Sequence, residues 1–284
     1  MPTPSARSTK TRLVLLGAGS DRARRPEPGT VWLVGAGPGD PELLTVKALK
    51  VLGRADVIVH DGLVSAAILD LAPPTARRID VAKRRSRHTY PQDEINRMLT
   101  AFALEGLTVV RLKGGDPFIF GRGGEELEAC RSAGISCEVV PGVTSALSAA
   151  AAAGAPLTHR GMAQAVTFVT GHAKAGESPD LDWPALARPN QTVVIYMGLA
   201  QSGAIATRLM AAGRAGATPA LIVENASLPH ERRFATTLAE IGRVAAELKG
   251  PALLIVGEAM TMAVPSQLEP MAGLRQPRSI GAHS

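Results

Sequence analysis

Five glycines fall within eleven residues, at positions 114, 115, 121, 123 and 124, and they follow a strand-like run at residues 107–110. Glycine loses more conformational entropy on folding than any other residue, so this density needs a reason. Unhindered contact between the main chain and a bound molecule is the usual one. Asp116 adds a carboxylate that either faces a ligand or caps a turn. We therefore predict a ligand-binding loop at residues 111–126.

A second glycine turn, Gly-Ala-Gly-Pro-Gly-Asp at residues 35–40, also follows a predicted strand. It lies where a dinucleotide fingerprint would, but Asp40 stands where the fingerprint has glycine. A negative side chain at the start of a helix opposes pyrophosphate binding, because it occupies the positive end of the helix dipole. The turn therefore disfavours NAD and favours a ligand that is neutral or cationic there. A tight turn capped by Asp40 is the structural alternative, and it is compatible with ligand binding.

Asp61 and a basic run are predicted to lie on the same edge of the sheet. Asp61 follows a strand in the sequence His-Asp-Gly, where an Asp-Gly turn is the alternative to a catalytic carboxylate. Residues 77–88 hold six Lys or Arg and one acid. A charge run alone favours a solvated surface, but cations at the carboxyl edge of an open sheet suit a polyanionic substrate. No His or Cys pair has metal-ligand spacing, so we expect no metal.

The elements that would position these residues follow an α/β pattern. From residue 30, short β-branched runs alternate with helical stretches, which is typical of a mostly parallel α/β sheet. The first set comprises strands at residues 31–34, 56–60, 78–81, 108–112 and 137–140, with helices at 41–52 and 91–104. The second comprises strands at 166–170, 192–197, 219–224 and 252–256, with helices at 200–212 and 238–248.

This alternation predicts two α/β domains. The predicted divisions are a disordered tail at residues 1–29, an N-terminal α/β domain at 30–141, a linker and helix at 142–164, a C-terminal α/β domain at 165–261 and a second disordered tail at 262–284. An apolar content of 45% suffices for two cores.

Composition and charge exclude several function classes. The net charge is +6, but the two predicted tails carry most of it and the body between them is near +1, so no nucleic-acid partner is expected. No apolar run approaches the roughly 20 residues that span a bilayer, so we expect no membrane partner and a cytoplasmic location. The two cysteines are expected to be reduced thiols.

Five segments together resemble the uroporphyrinogen-III C-methyltransferases: residues 34–45, 60–61, 111–126, 141–145 and 157–161. The resemblance covers about residues 31–260, and the segment 111–126 is its most specific part. It implies a tetrapyrrole methylase-like fold with an active-site cleft between the two domains, S-adenosylmethionine as methyl donor and a homodimer. The implied reaction places two methyl groups on C2 and C7 of uroporphyrinogen III, which gives precorrin-2 for sirohaem or cobalamin. A single activity is expected.

The resemblance also implies roles for individual residues. Asp61 aligns with the proton acceptor of the family and Lys83 with its proton donor, although Lys83 could equally bind substrate carboxylates. The implied contacts to S-adenosylmethionine are Pro38, Gly114, Gly115, Asp116, Ile119, Thr144, Ser145, Met197 and Ala226. Further substrate-side candidates, each with an ordinary ion pair as the alternative, are Arg84, Arg85, Arg111, Arg122, Glu125 and Arg160.

Three other classes compete with this hypothesis. A methyltransferase acting on a later corrin intermediate would keep the donor turns and alter the substrate rim. A ribosomal-RNA methyltransferase of similar fold would need basic charge on the folded body. A nucleotide-binding module without catalysis would bind ligand and show no turnover.

Overall fold

A computed structural model describes residues 27–82, 90–172 and 179–266 of the 284-residue chain. Lys83, Arg84 and Arg85 lie outside the described residues, as does most of both predicted tails. Five residues of the second predicted tail are described. Among them, the amide of Val264 donates to the Ala153 carbonyl at 2.8 Å, which fixes this stretch against the body of the protein.

The first sheet is entirely parallel and has the strand order β3-β2-β4-β1-β5. Alternate residues of β1 enter two cores, with Val31 and Leu33 on one face and Val34 on the other, because successive side chains of a strand point in opposite directions. The strands are β1 (Thr30–Gly35), β2 (Val57–His60), β3 (Arg77–Asp80), β4 (Val109–Lys113) and β5 (Ser136–Val140). The helices are α1 (Val46–Leu52), α2 (Ala66–Leu69), α3 (Gln92–Leu104) and α4 (Gly123–Ser132).

The second sheet is mixed and has the order β6-β7-β10-β8-β9. Its strands are β6 (Ala165–Thr170), β7 (Gln191–Tyr196), β8 (Pro219–Glu224), β9 (Arg232–Thr237) and β10 (Ala252–Val256). Only β6 and β7 pair in parallel; β10 pairs antiparallel with β7 and β8, and β8 with β9. The accompanying helices are α5 (Ser145–Ala152), α6 (Trp183–Leu186), α7 (Ser202–Ala211) and α8 (Ile241–Ala245).

The predicted α/β class is confirmed, and the expectation of mostly parallel pairing is correct for the first sheet only. Residues 225–231 join β8 to β9 and are too few for the helical crossover that a parallel pair requires. β9 was not predicted because Arg232 and Arg233 open it, and charged residues are typical of an edge strand rather than a central one.

Several helical regions also differ from the prediction, and the short helices α2 and α6 were not predicted. The predicted helix at residues 41–52 is a 3-10 turn, Pro41–Leu43, followed by α1, and the Thr45 hydroxyl starts α1 by accepting from the Ala48 amide at 3.1 Å. α4 was missed because the glycine-rich segment was interpreted as a loop up to residue 126. The structure begins a helix at Gly123.

α5 lies between the two sheets in sequence and packs on the second. Ala146, Ala149 and Ala150 share a core with residues of β7, β8 and β10. Their small side chains let this helix lie close to the sheet. Its first residue, Ser145, therefore stands where the two sheets meet.

Candidate active site between the two sheets

The two glycine turns predicted from sequence are bonded to each other. β1 and β4 are neighbours, and the turns that follow them meet through Gly37 and Gly115. The Gly37 amide donates to the Gly115 carbonyl at 3.1 Å, and the Gly115 amide to the Gly37 carbonyl at 2.7 Å. Both residues have positive φ, +69° and +68°, a conformation that favours glycine. Pro38 is thereby fixed beside the Gly115 turn.

Asp116 joins this pair of turns to a third. One carboxylate oxygen accepts from the Phe118 amide at 2.8 Å and the other from the Gly142 amide at 3.0 Å. A Cβ on Gly35 would lie 2.5 Å from the Gly142 nitrogen, so the end of β1 and the third turn need glycine to come this close. Asp116 is therefore a turn-capping residue in the structure, and its contact with a ligand remains a prediction.

Residues of the second sheet and its loops cover these turns. The Asp40 amide donates to the Ser227 hydroxyl at 3.3 Å. The hydroxyls of Thr144 and Tyr196 are 2.6 Å apart and form a hydrogen bond. Burial raises the pKa of Tyr196, so its phenol stays protonated. The ring of Phe120, from the glycine-rich loop, lies 5.0 Å from the Tyr196 ring. The glycine turns therefore face the second domain.

The other predicted donor contacts lie at the same junction. Ile119 and Ala226 both pack against the core formed by α5 and the second sheet. Met197 follows Tyr196, has a φ of +53° and is 52% exposed. Ser145 is near the first sheet, since a Cβ built on Gly115 would lie 3.8 Å from its hydroxyl. Their contact with a methyl donor remains a prediction.

Asp61 stands at the carboxyl end of β2, beside the Gly114–Gly115 turn. One carboxylate oxygen accepts from the Leu63 amide at 3.0 Å, which is the turn contact expected of an Asp-Gly sequence. The other accepts from the Gly114 amide at 3.4 Å and lies 3.9 Å from Arg111 Nη2. The side chain is 28% exposed. The carboxylate thus contacts the predicted donor turn and is also open to solvent.

Arg111, a predicted substrate contact, is buried instead. It is 4% exposed, and its Nε donates to Glu126 Oε1 at 2.9 Å. Its remaining hydrogen bonds go to the carbonyls of Val59 and Leu112. These are the contacts of an internal ion pair, the alternative that the sequence left open.

Lys113 and Glu126 complete this buried group and were not predicted. Lys113 Nζ lies 3.0 Å from Glu126 Oε2, and burial lowers the pKa of Lys113, as does the neighbouring Arg111. A signal was present, because Val109, Arg111 and Lys113 alternate along one face of β4. Cations inside a strand covered on both faces require a buried anion.

The remaining substrate candidates are exposed or undescribed. Arg122 donates to both oxygens of Glu125, at 2.8 and 2.7 Å, and this hydrogen bonding lowers the pKa of Glu125. Arg160 is exposed on the loop before β6, and the hydrogen bonds of the described residues do not connect it to the glycine turns. Ala82, which is described, lies beside Gly62, since a Cβ on Gly62 would lie 3.0 Å from the Ala82 Cβ.

In residues 27–82, 90–172 and 179–266, no three His, Cys, Asp or Glu side chains are grouped so that they could hold a metal ion. No helix in those ranges is long and apolar enough to cross a membrane.

A parallel sheet with glycine turns at its carboxyl edge, covered by a second sheet that is mixed, defines a two-domain α/β protein with a candidate ligand site at the domain junction. The profile of the tetrapyrrole (corrin/porphyrin) methylases matches residues 30–242, and the chain belongs to this family. It is 52% identical over 244 residues to the siroheme synthase of Nitrosospira multiformis. That match covers 85% of this chain and 52% of the relative, so the chain spans about half the length of the curated relatives it matches.

Solved structures support the same family. The uroporphyrin-III C-methyltransferase of Thermus thermophilus, solved with S-adenosyl homocysteine, is 44% identical with a TM-score of 0.71. The match covers 82% of this chain and 99% of that protein. A cobalt precorrin-4 methyltransferase is 30% identical with a TM-score of 0.73, covering 81% and 95% of the two chains.

Proposed function

We propose that this chain is a uroporphyrinogen-III C-methyltransferase, which transfers two methyl groups from S-adenosylmethionine to C2 and C7 of uroporphyrinogen III and so forms precorrin-2. The observation that carries the proposal is the mutual pairing of Gly37 and Gly115 beneath the second domain. Membership of the family and 44% identity across nearly all of the Thermus thermophilus enzyme support the substrate assignment.

The residues present fit a sulfonium donor better than a dinucleotide. Asp40 caps the 3-10 turn after the first glycine turn, where its carboxylate accepts from the Glu42 amide at 2.9 Å. A negative charge at that point opposes a pyrophosphate and tolerates a cation. We propose that Pro38, Gly114, Gly115, Asp116, Ile119, Thr144, Ser145, Met197 and Ala226 surround the donor.

The chain's main contribution to methyl transfer would be alignment. S-adenosylmethionine supplies the methyl group, and a nucleophilic pyrrole carbon must approach it in line. Two hydrogen bonds hold the glycine turns and the start of α5 together: the Gly142 amide donates to Asp116, and the hydroxyls of Thr144 and Tyr196 are bonded to each other. The walls of the cleft are therefore fixed before a ligand enters. Such preorganisation lowers the entropic part of the barrier.

Asp61 has a definable task after each transfer. Methylation makes the attacked carbon quaternary and leaves a positive charge on the macrocycle, which must then lose a proton from another of its positions. A partly exposed carboxylate beside the predicted donor turn can accept that proton. We propose Asp61 as this general base. Lys83, Arg84 and Arg85 follow β3 in the sequence, and β3 pairs with β2, the strand that precedes Asp61. We propose that they pair with the carboxylates of the substrate.

The proposal is tested by turnover. The purified protein is incubated with S-adenosylmethionine and anaerobically generated uroporphyrinogen III, and the products are followed by absorbance and mass. We expect a dimethylated product, which a later corrin methyltransferase would not form from this substrate. Unchanged uroporphyrinogen alongside confirmed binding of the donor would remove the assignment.

We further propose a homodimer located in the cytoplasm, and light scattering on the same preparation checks the assembly. Both cysteines, Cys130 and Cys137, are free thiols in the structure, which fits a reducing compartment. Whether the product continues to sirohaem or to cobalamin depends on the enzymes that receive it.

A further inference from the structure

A buried ionic network lies beneath the candidate site, and the mechanism above makes no use of it. Arg111 and Lys113 project from the same face of β4, and Glu126 projects from the first turn of α4. Their side chains are 5%, 3% and 0% exposed. Two cations and one anion leave an excess positive charge inside the protein, and Asp61 is a second carboxylate near Arg111, at 3.9 Å.

Glu126 is the centre of the network. Its Oε1 atom accepts from Arg111 Nε at 2.9 Å, from Lys113 Nζ at 3.2 Å and from Gln92 Nε2 at 3.2 Å. Its Oε2 atom lies 3.0 Å from Lys113 Nζ. Arg111, in contrast, is 3.9 Å from Asp61, beyond the length of a charge-assisted hydrogen bond.

The network also reaches the glycine-rich loop. A Cβ on Gly121 would lie 3.1 Å from Lys113 Cε, so the aliphatic part of Lys113 passes directly beneath that loop. β4 leads into the predicted donor turn, and its Lys113 passes beneath the glycine-rich loop. Glu126, in the first turn of α4, binds both Arg111 and Lys113 of this strand.

We propose that Glu126 is a positioning residue for Asp61. By binding Arg111 and Lys113, it keeps the guanidinium from closing on the Asp61 carboxylate, which therefore stays open to the cleft. A buried guanidinium that loses its carboxylate takes the nearest one within reach, because an unpaired buried charge is strongly disfavoured. For Arg111 that carboxylate is Asp61. The kinetic consequence of this inference rests on the proposed function.

The primary test is Glu126→Gln, which keeps the size of the side chain and removes its charge. We expect kcat to fall at least about tenfold, because Asp61 becomes engaged by Arg111. KM for uroporphyrinogen and the Kd for S-adenosylhomocysteine should stay within about threefold of the wild-type values. Glu128→Gln, on the exposed side of the same helix, is the matched control and should leave all three unchanged.

A double variant separates positioning from a general structural effect. In an Asp61→Asn background, Glu126→Gln should cause no further loss of rate, because the carboxylate through which it acts is gone. Equal losses of rate in the two backgrounds would overturn the proposal.

Two further measurements keep the test decisive. If Glu126→Gln does not fold, it is combined with Lys113→Met, so that one charge of each sign is removed. The same loss of kcat is expected, because Asp61 is again the carboxylate within reach of Arg111. Crystal structures of the variants should show Arg111 and Asp61 at about 2.7–2.9 Å. An unchanged separation would overturn the inference, whether or not the wild-type protein is active. A wild-type protein without methyltransferase activity would instead count against the proposed function alone.

Discussion

At the scale of single residues, three aspartates that each come after a strand in the sequence have different roles in the structure. Asp40 and Asp116 have carboxylate oxygens that accept from main-chain amides, and they fix turns. Asp61 also caps a turn and its second oxygen accepts from the Gly114 amide at 3.4 Å, yet its side chain is 28% exposed. The difference lies in which neighbours the fold supplies, and it makes Asp61 the best candidate for a proton acceptor.

Asp61→Asn tests that assignment directly. The amide keeps the volume and one acceptor oxygen for the turn, but it cannot take up a proton, so kcat should fall by about 10²- to 10⁴-fold. Binding of S-adenosylhomocysteine, measured by calorimetry, should be unchanged. Asp70→Asn, an exposed aspartate paired with Arg78, serves as control. An Asp61→Asn enzyme with the wild-type rate would make Asp61 a turn residue only.

The sequence was sufficient to find these aspartates and insufficient to find Glu126. Glycine turns and strand ends are local patterns, and they predict Asp40, Asp61 and Asp116 correctly as residues of the turns. The burial of Arg111 depends on α4, whose first turn brings Glu126 over β4. Arg111 and Glu126 are 15 residues apart, and Glu126 lies on a helix that was not predicted. The sequence around Arg111 therefore left two alternatives open, a substrate contact and an internal ion pair.

At the scale of elements, β8 and β9 show how a hairpin is fixed by one buried carboxylate. Glu224 ends β8, and its side chain is 3% exposed. One oxygen accepts from the amides of Lys249 and Gly250 at 3.0 and 2.7 Å, and the other accepts from Arg232 Nε at 2.7 Å. The edge strand and the turn before β10 therefore depend on the same residue.

Glu224→Gln is expected to lower the free energy of unfolding by about 1–3 kcal/mol, since it leaves Arg232 facing a neutral amide. Burial acts to raise the pKa of Glu224, but the bonds from Gly250, Arg232 and Lys249 outweigh it and the pKa is lowered. The stabilisation is thus complete above the ordinary pKa of glutamate and is lost as the pH falls through the lowered value.

The measurement is urea unfolding of both proteins at neutral pH and in increasingly acidic buffer. The difference in stability should shrink as the pH falls through the pKa that Glu224 has in the folded protein. Glu247→Gln, an exposed residue nearby, is the control. A difference that is constant with pH would show that the ionised form of Glu224 contributes nothing.

The elements themselves were predictable to different degrees. Buried strands such as β1 and β10 are continuous apolar runs, and their position follows from composition alone. The direction of β9 against β8 does not, because it depends on the length of the connection and on residues such as Asn225 and Ser227, whose positive φ turns the chain back. Local propensity contains no information about either strand's partner.

At the scale of the whole molecule, the site exists only because two independently built sheets meet. Thr144 immediately precedes α5, after the first sheet, and Tyr196 ends β7 in the second, yet their hydroxyls are 2.6 Å apart. The Tyr196 hydroxyl also accepts from the Ala146 amide at 3.3 Å. The ring contacts Phe120 and Phe168. A single phenol thus connects the donor turns, α5 and the second sheet.

Tyr196→Phe removes the hydroxyl and keeps the ring contacts. Because the Thr144 hydroxyl and the Ala146 amide lose a buried partner, we expect a loss of about 1–3 kcal/mol in the free energy of unfolding. Affinity for S-adenosylhomocysteine should also fall, since Thr144 and Met197 adjoin this bond and are predicted donor contacts. Thr144→Val and the double variant complete a thermodynamic cycle, in which a direct bond gives a coupling of about 0.5–3 kcal/mol. Additive losses together with unaltered affinity would mean that the two sheets are held together by their apolar contacts, with this hydrogen bond contributing nothing to the site.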